Sequence, residues 1–252
     1  MKNYFVIAHR GESFLAPENT LSAVNLAWDN NADAVEIDIR LTKDNRIVVI
    51  HDADTKRVSG KYKWVSGSLL KDLKKLDVGK LKDKKYEGEK IPELSEVIKT
   101  VPANKKIVIE IKCGKEIVPF LMNDLLNSGL QLNQIEIISF NLKVLRRFKL
   151  KMPDVNVYWL FLFSKYLLVR ILQPSISKII SLIKKNNLNG LNLNNGKYLT
   201  QKKILKVKSA NLKLYIWTVN DIKRIKELIK FGVDGITTDK AGFVISELNK
   251  NN

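Results

Sequence analysis

The sequence predicts an α/β fold, a single (β/α)8 barrel spanning residues 1–252, and three observations carry that prediction. Short runs rich in Val, Ile and Tyr alternate with stretches of helical period along the whole chain, and eight of these runs read as barrel strands. The length suits either two small domains or one barrel-sized domain, and the absence of a Pro/Gly/Ser-rich linker makes one domain the economical reading. One further strand-like run follows the second strand too closely for a parallel crossover, so it reads as a hairpin extension rather than a ninth barrel strand.

The first strand, "YFVIA" (4–8), ends abruptly in His9, Arg10 and Gly11. A cationic side chain beside a titratable one at a strand end points to an anionic ligand, and the glycine allows a tight turn. In "APENTLSAVNLAWDN", Pro17 stands near a helix start, and Leu21, Val24, Leu26 and Ala27 suit one buried face. The second strand, "AVEIDI" (34–39), carries Glu36 and Asp38 two positions apart, hence on one face. After only "RLTKDN" comes "RIVVI" (46–50), which predicts an antiparallel hairpin turning near Asp44 and Asn45 and returning His51 and Asp52 to the level of Glu36 and Asp38. The third strand, "IVIEI" (107–111), places Glu110 and Lys112 on one face. "IEIIS" (135–139), "VNVYWL" (155–160), "GLNL" (190–193), "LYIW" ending at Trp217, and "DGIT" (234–237) complete the eight. The helix before the last strand, "NDIKRIKELIKFG", begins at a capping asparagine or aspartate, repeats Ile222, Ile225, Leu228 and Ile229, and stops before Gly232.

Composition bounds the function only loosely. Lys and Arg number 44 against 26 Asp and Glu, a net charge of +18, which fits either a solvated basic face or attraction to nucleic acid, anionic lipid or a phosphorylated substrate. Cys113 is the only cysteine, so an intramolecular disulfide and a multi-cysteine zinc site are both excluded, and a reducing compartment fits. The apolar stretch near the N-terminus is too short for a secretory signal, and the expected location is cytoplasmic. Residues 155–173, "VNVYWLFLFSKYLLVRILQ", are unusually apolar, but Lys165 and Arg170 interrupt them well short of the ~20 residues of a membrane span. They read as a buried strand running into an apolar loop or helix; peripheral contact with a membrane is the other reading.

Barrel active sites sit where the βα loops converge at the strand C-termini. There this sequence collects His9, Arg10, Glu36, Asp38, His51, Asp52, Glu110, Lys112 and Trp217. Carboxylates on inward-facing positions are costly unless something positive lies among them. Glu36, Asp38 and Glu110 offer oxygen ligands suited to one divalent cation, Mg²⁺ or Ca²⁺; an internal salt-bridge network with Arg10 and Lys112 is the alternative. The only two histidines, His9 and His51, fall at the same mouth and suit an acid and a base, while Arg10 and Lys112 suit phosphate oxygens. The inferred ligand is a phosphate ester.

These residues lie in stretches that resemble the glycerophosphodiester phosphodiesterase family: "AHRGESFLAPENTLSAVNLA", "ADAVEIDIRLTKDNRIVVIHD", "IPELSEVI", "IVIEIK", "LYIWTVN" and "GVDGITTD", in the family's order from Ala8 to Asp239. The resemblance implies a TIM barrel of the phosphodiesterase type. It also implies acid–base roles for His9 and His51, phosphate binding by Arg10 and Lys112, a metal held by Glu36, Asp38 and Glu110, and a cleft position for Trp217. Glu18, Asn19 and Asp52 look like supporting residues. The implied reaction is hydrolysis of a small-molecule glycerophosphodiester to sn-glycerol 3-phosphate and an alcohol, with no nucleic acid as partner. Residues 59–90 keep only a compact version of the region after the hairpin, so no large inserted cap is expected. Lysophospholipid cleavage of the phospholipase D type and noncatalytic binding of a polyanion or membrane surface are the other functions weighed.

Overall fold

In the computed structural model, which describes residues 3–250, eight parallel strands close on themselves. They are β1 (Phe5–His9), β2 (Ala34–Leu41), β4 (Lys106–Ile111), β5 (Ile135–Ser139), β6 (Asn156–Phe161), β7 (Gly190–Asn194), β8 (Lys213–Trp217) and β9 (Gly235–Thr238), with β3 (Ile47–Val49) outside the ring. Each neighbours the next in chain order, and β1 pairs with both β2 and β9, which closes the barrel. All eight expected barrel strands are present.

The extra run forms β3, antiparallel to β2, with Ile39 opposite Val49 and Leu41 opposite Ile47. Asn45 supplies the turn with a φ of +60°, a conformation asparagine tolerates better than most residues. The amide of Ile50 donates to the Asp38 carbonyl at 2.8 Å, which fixes His51 beside the second strand. Residues 52–93 wrap against this hairpin without a large inserted cap, and Val65, Leu73, Leu76, Val78 and Ile91 build a small core with Val48 and Ile50.

The strands alternate. Val6, Ala8, Val35, Ile37, Ile107 and Ile109 face outward into the main core beneath the helices. Ile7, Val108, Ile138, Tyr158, Leu160 and Tyr215 face the barrel axis and fill its middle. The same period that buries these apolar residues carries His9, Glu36, Asp38, Glu110 and Trp217 up the inner wall to the mouth.

One expected boundary moves. The first long helix runs Leu21–Asp29, capped by the Thr20 hydroxyl accepting from the Ala23 amide, so Pro17 lies in the loop ahead of it. Asn19 delays the helix, because it takes a φ of +59° and spends its side chain on Asp38. The helix before β9 starts as expected at a capping residue, Asp221, and Gly232 follows it with a φ of +82°.

Residues 155–173 divide in two. Residues 156–161 form the largely buried strand β6, and the helix Leu167–Leu172 stands out from the mouth end. Among the described residues no helix is long and apolar enough to cross a membrane.

Candidate active site

Strand register assembles the site. His9 pairs with Glu36 across β1 and β2, and Asp38 pairs with Glu110 two residues further along β2, across β2 and β4, so groups from three sequence-distant strands meet on the wall of the mouth. Gly11 follows the first strand with a φ of +79°, and a Cβ there would lie 2.5 Å from the carbonyl carbon of Ala23. Only glycine fits that turn against the first long helix. Arg10 itself adopts a φ of +58°, which aims its amide at Glu36 (3.1 Å) and its guanidinium at Glu18 and Asp38.

Glu36, Asp38 and Glu110 are buried, and each can offer one oxygen such that the three lie within 4.8 Å of one another. Arg10 Nε lies 3.1 Å from Asp38 Oδ2, and Lys112 Nζ lies 3.1 Å from Asp38 Oδ1 and 2.6 Å from Glu110 Oε1. These are ion pairs by distance whose angles fall short of hydrogen bonds, since Glu36 Oε1, Asp38 Oδ1 and Glu110 Oε1 are left without a hydrogen-bond partner. The salt-bridge network weighed against a metal is therefore present at Asp38 and Glu110, while Glu36 Oε1 has no hydrogen-bond partner. Burial acts to raise the Asp38 pKa, and Lys112 with Arg10 more than reverses it. Burial, with Asp38 and Glu110 beside it, drives Glu36 well above the carboxylate range, and burial with Asp38 pushes Glu110 up to about 7. Three buried carboxylates against two cations, each able to offer one oxygen within 4.8 Å of the others, form a donor set that fits a hard divalent cation.

Each histidine is backed by an aspartate. His9 Nδ1 lies 2.6 Å from Asp239 Oδ1, and His51 Nδ1 lies 2.7 Å from Asp52 Oδ1. A carboxylate at Nδ1 favours the tautomer protonated there, leaving the lone pair on Nε2. Burial lowers the His51 pKa despite the pull of Asp38 and Asp52. Asp239 is fixed in turn by the Asn220 amide at 2.7 Å, and its own pKa is held low, against burial, chiefly by His9.

His9, Arg10, Glu36, His51, Glu110 and Lys112 line one side of a cavity of about 110 Å³, and Ile138, Phe140, Leu160 and Trp217 form much of the rest. Phe140 and Trp217 meet edge to face with ring centroids 5.7 Å apart. A larger depression of about 620 Å³ lies between the C-terminal ends of two outer helices, among Arg146, Lys149 and Lys185, and has no carboxylate or histidine in its lining. The charged groups therefore mark the smaller cavity as the candidate site.

Glu18 and Asp52 stand one layer back, tied together by Arg57, and Asn19 bridges to Asp38 at 2.8 Å. The sequence reading missed Asp239, Asn220 and Phe140. Asp239 directly follows the last strand within "GVDGITTD", the position from which strand-end side chains enter a barrel mouth, so its place was available as a signal. Phe140 follows β5 in the same way.

A model of the glycerophosphoryl diester phosphodiesterase family matches residues 9–243. The chain is 32% identical to a glycerophosphodiester phosphodiesterase of Caldanaerobacter subterraneus subsp. tengcongensis over 97% of this chain and 98% of that one. It is also similar in structure to an Oleispira antarctica phosphodiesterase solved with its product sn-glycerol 3-phosphate, at 25% identity, covering 97% and 96% of the two chains with a TM-score of 0.84. A second solved relative, the glycerophosphodiester phosphodiesterase of Thermotoga maritima, gives 26% identity and a TM-score of 0.77 over 96% and 97%. With that match across the barrel and its mouth, the chain belongs to the glycerophosphoryl diester phosphodiesterase family.

Proposed function

We propose that this protein hydrolyses glycerophosphodiesters to sn-glycerol 3-phosphate and an alcohol, using His9 and His51 as the proton-transfer pair and the site at residues 36, 38 and 110 for one divalent cation, Mg²⁺ or Ca²⁺. The observation that carries the reading is the pair of His–Asp dyads facing one cavity across a triad of under-compensated carboxylates. The lowered His51 pKa favours the neutral imidazole that a base requires, so His51 takes the proton from the attacking hydroxyl. His9, oriented by Asp239 and acting as the imidazolium with both ring nitrogens protonated, donates from Nε2 to the departing alkoxide. The new P–O bond forms to water, or to the substrate's glycerol 2-hydroxyl to give a cyclic phosphate that water then opens; the P–O bond to the alcohol breaks, the attacking hydroxyl's proton goes to His51 and the departing alkoxide's proton comes from His9. Arg10 and Lys112 face the same cavity and suit the phosphate oxygens. A cation bound by Glu36, Asp38 and Glu110 supplies charge neutralisation for the phosphoryl group. The site lies within one catalytic domain, and the cellular setting that suits a single free cysteine is the cytoplasm.

The test is release of glycerol 3-phosphate from a panel of glycerophosphodiesters by the full chain, after EDTA treatment and after restoring Mg²⁺ or Ca²⁺. Release abolished by EDTA and recovered with one cation supports the reading. No release with any head group or cation overturns it, and release indifferent to EDTA overturns the metal assignment.

A further inference from the structure

The helix Leu167–Leu172 has no role in the chemistry proposed above. It follows β6 at the mouth end of the barrel, and Leu168, Ile171 and Leu172 are 79%, 69% and 86% exposed. Leu162, Tyr166 and Val169 are exposed beside them, so six large apolar side chains meet solvent within eleven residues. Proteins without a partner for such a patch seldom keep one. The Gln173 side chain clasps the base of the segment, donating to the Leu162 carbonyl at 2.6 Å and accepting from the Ser164 amide at 3.0 Å. The Phe163 amide is held by Asn194 at 2.7 Å, and Phe163 is buried. The projecting helix is thus mounted on an anchored base.

Charge identifies the occupant. From Val155 to Asn220 the chain contains eleven Lys and Arg and no Asp or Glu; five of them, Lys184, Lys185, Lys206, Lys208 and Lys213, lie at helix C-termini or a strand start, at the far end of the barrel. Lys165, Lys178, Lys197 and Lys202 are exposed, and all belong to the βα segments or first helical turns that follow β6 and β7, on the same end of the barrel as the helix. The neighbouring βα segment at 140–143 has no acid either. Aliphatic side chains that project beyond a ring of lysines match an anionic lipid surface, where the chains enter the acyl boundary and the ammonium groups meet the headgroups. Nucleic acid would use the lysines but has no surface for leucine and isoleucine.

We propose that the helix Leu167–Leu172, with Leu162 and Tyr166, docks the barrel mouth onto an anionic bilayer surface without crossing it. This docking is independent of the hydrolase reading, because it is measured by binding alone. Docked in this way, the end of the barrel that holds Phe140, Leu160 and Trp217 faces the lipid surface.

The experiment is flotation of the full chain with phosphatidylcholine vesicles and with vesicles containing about one-third phosphatidylglycerol, at low and high salt, for wild type and for the triple variant Leu168→Ser, Ile171→Ser, Leu172→Ser. The expected result is binding to the anionic vesicles that weakens with salt, little binding to phosphatidylcholine, and a loss of at least tenfold in the triple variant. Its melting temperature and its turnover of a water-soluble glycerophosphodiester should not change. A second variant, Lys165→Gln with Lys197→Gln, should weaken anionic binding severalfold. Absence of wild-type flotation overturns the proposal, as does flotation that the triple variant retains. Tighter binding to duplex DNA than to vesicles, or a dimer that the triple variant dissociates in the absence of vesicle binding, assigns the surface to another partner and also overturns it.

Discussion

The two ends of the barrel axis hold buried acids on very different terms. Near the N-terminal end of the strands, Glu136 receives Lys106 Nζ at 2.9 Å and the hydroxyls of Tyr215 at 3.1 Å and Tyr158 at 3.4 Å, all on one carboxylate oxygen. Asp234, also buried, accepts from the Leu214 amide at 2.9 Å and from Lys213 at 3.0 Å, and pairs with Lys208. At the mouth, three buried carboxylates share two cations: Lys112 lies 3.1 Å from Asp38 Oδ1 and 2.6 Å from Glu110 Oε1, and Glu36 Oε1 has no hydrogen-bond partner. Each lower acid has at least one lysine of its own, although Glu136 Oε2 is also left without a hydrogen-bond partner. The upper cluster has three carboxylates for two cations, an imbalance that a positive ligand would relieve. The two ends therefore differ in the ratio of acids to cations.

The largest effect expected concerns activity at the mouth alone. Replacing His9 or His51 with Asn should lower kcat/KM by about 10²- to 10⁴-fold while leaving thermal melting nearly unchanged. A parallel loss of folding would mean that the dyads are structural and would erase the distinction.

Stability should respond in opposite senses at the two ends. Lys106→Met strips a buried carboxylate of its cation and should cost about 2–3 kcal/mol in denaturant unfolding, with Tyr158 and Tyr215 still donating. Glu36→Gln should leave the EDTA-treated protein as stable as wild type or more so, because it removes one of three crowded carboxylates, and should diminish the melting shift produced by Mg²⁺ or Ca²⁺. A loss in EDTA as large as that of Lys106→Met would break the comparison.

The cation shift should also depend on pH. Burial and neighbouring carboxylates raise the Glu36 pKa and push that of Glu110 up to about 7, so protons compete with a cation there. Apparent cation affinity should accordingly rise from about pH 6 to about pH 8, as protons cease to compete. Titration of melting temperature against Mg²⁺ at several pH values measures it, and a flat profile would place the cation elsewhere.

The smallest effect expected lies behind the mouth. Glu18 and Asp52 have pKa values held below the usual carboxylate range, against the effect of burial, by Arg57 with Arg10 and His51. Their contribution is present above the unfolded values of about 4 and is lost as pH falls towards the folded ones. Arg57→Leu should flatten the acid limb of the stability curve by only about 0.5–1 kcal/mol, because Arg57 is about half exposed.

The sequence by itself determined the barrel and most of its mouth. Two local rules suffice for that: the two-residue period puts Glu36 with Asp38 and Glu110 with Lys112 on shared faces, and the short gap between "AVEIDI" and "RIVVI" permits only a hairpin, which carries His51 back to the second strand. Tertiary structure decided what each charge meets. That Asp239 backs His9 across 230 positions, that Asp38 attracts both cations while Glu36 is left short, and that Asn19 delays a helix to reach Asp38 all depend on barrel closure and on distances between strands that no spacing along the chain encodes. The apolar stretch at 155–173 shows the same division within one segment. Its sequence already reads as a buried strand running into an apolar loop or helix, but only packing leaves that helix facing water, because burial depends on which neighbours the closed barrel provides.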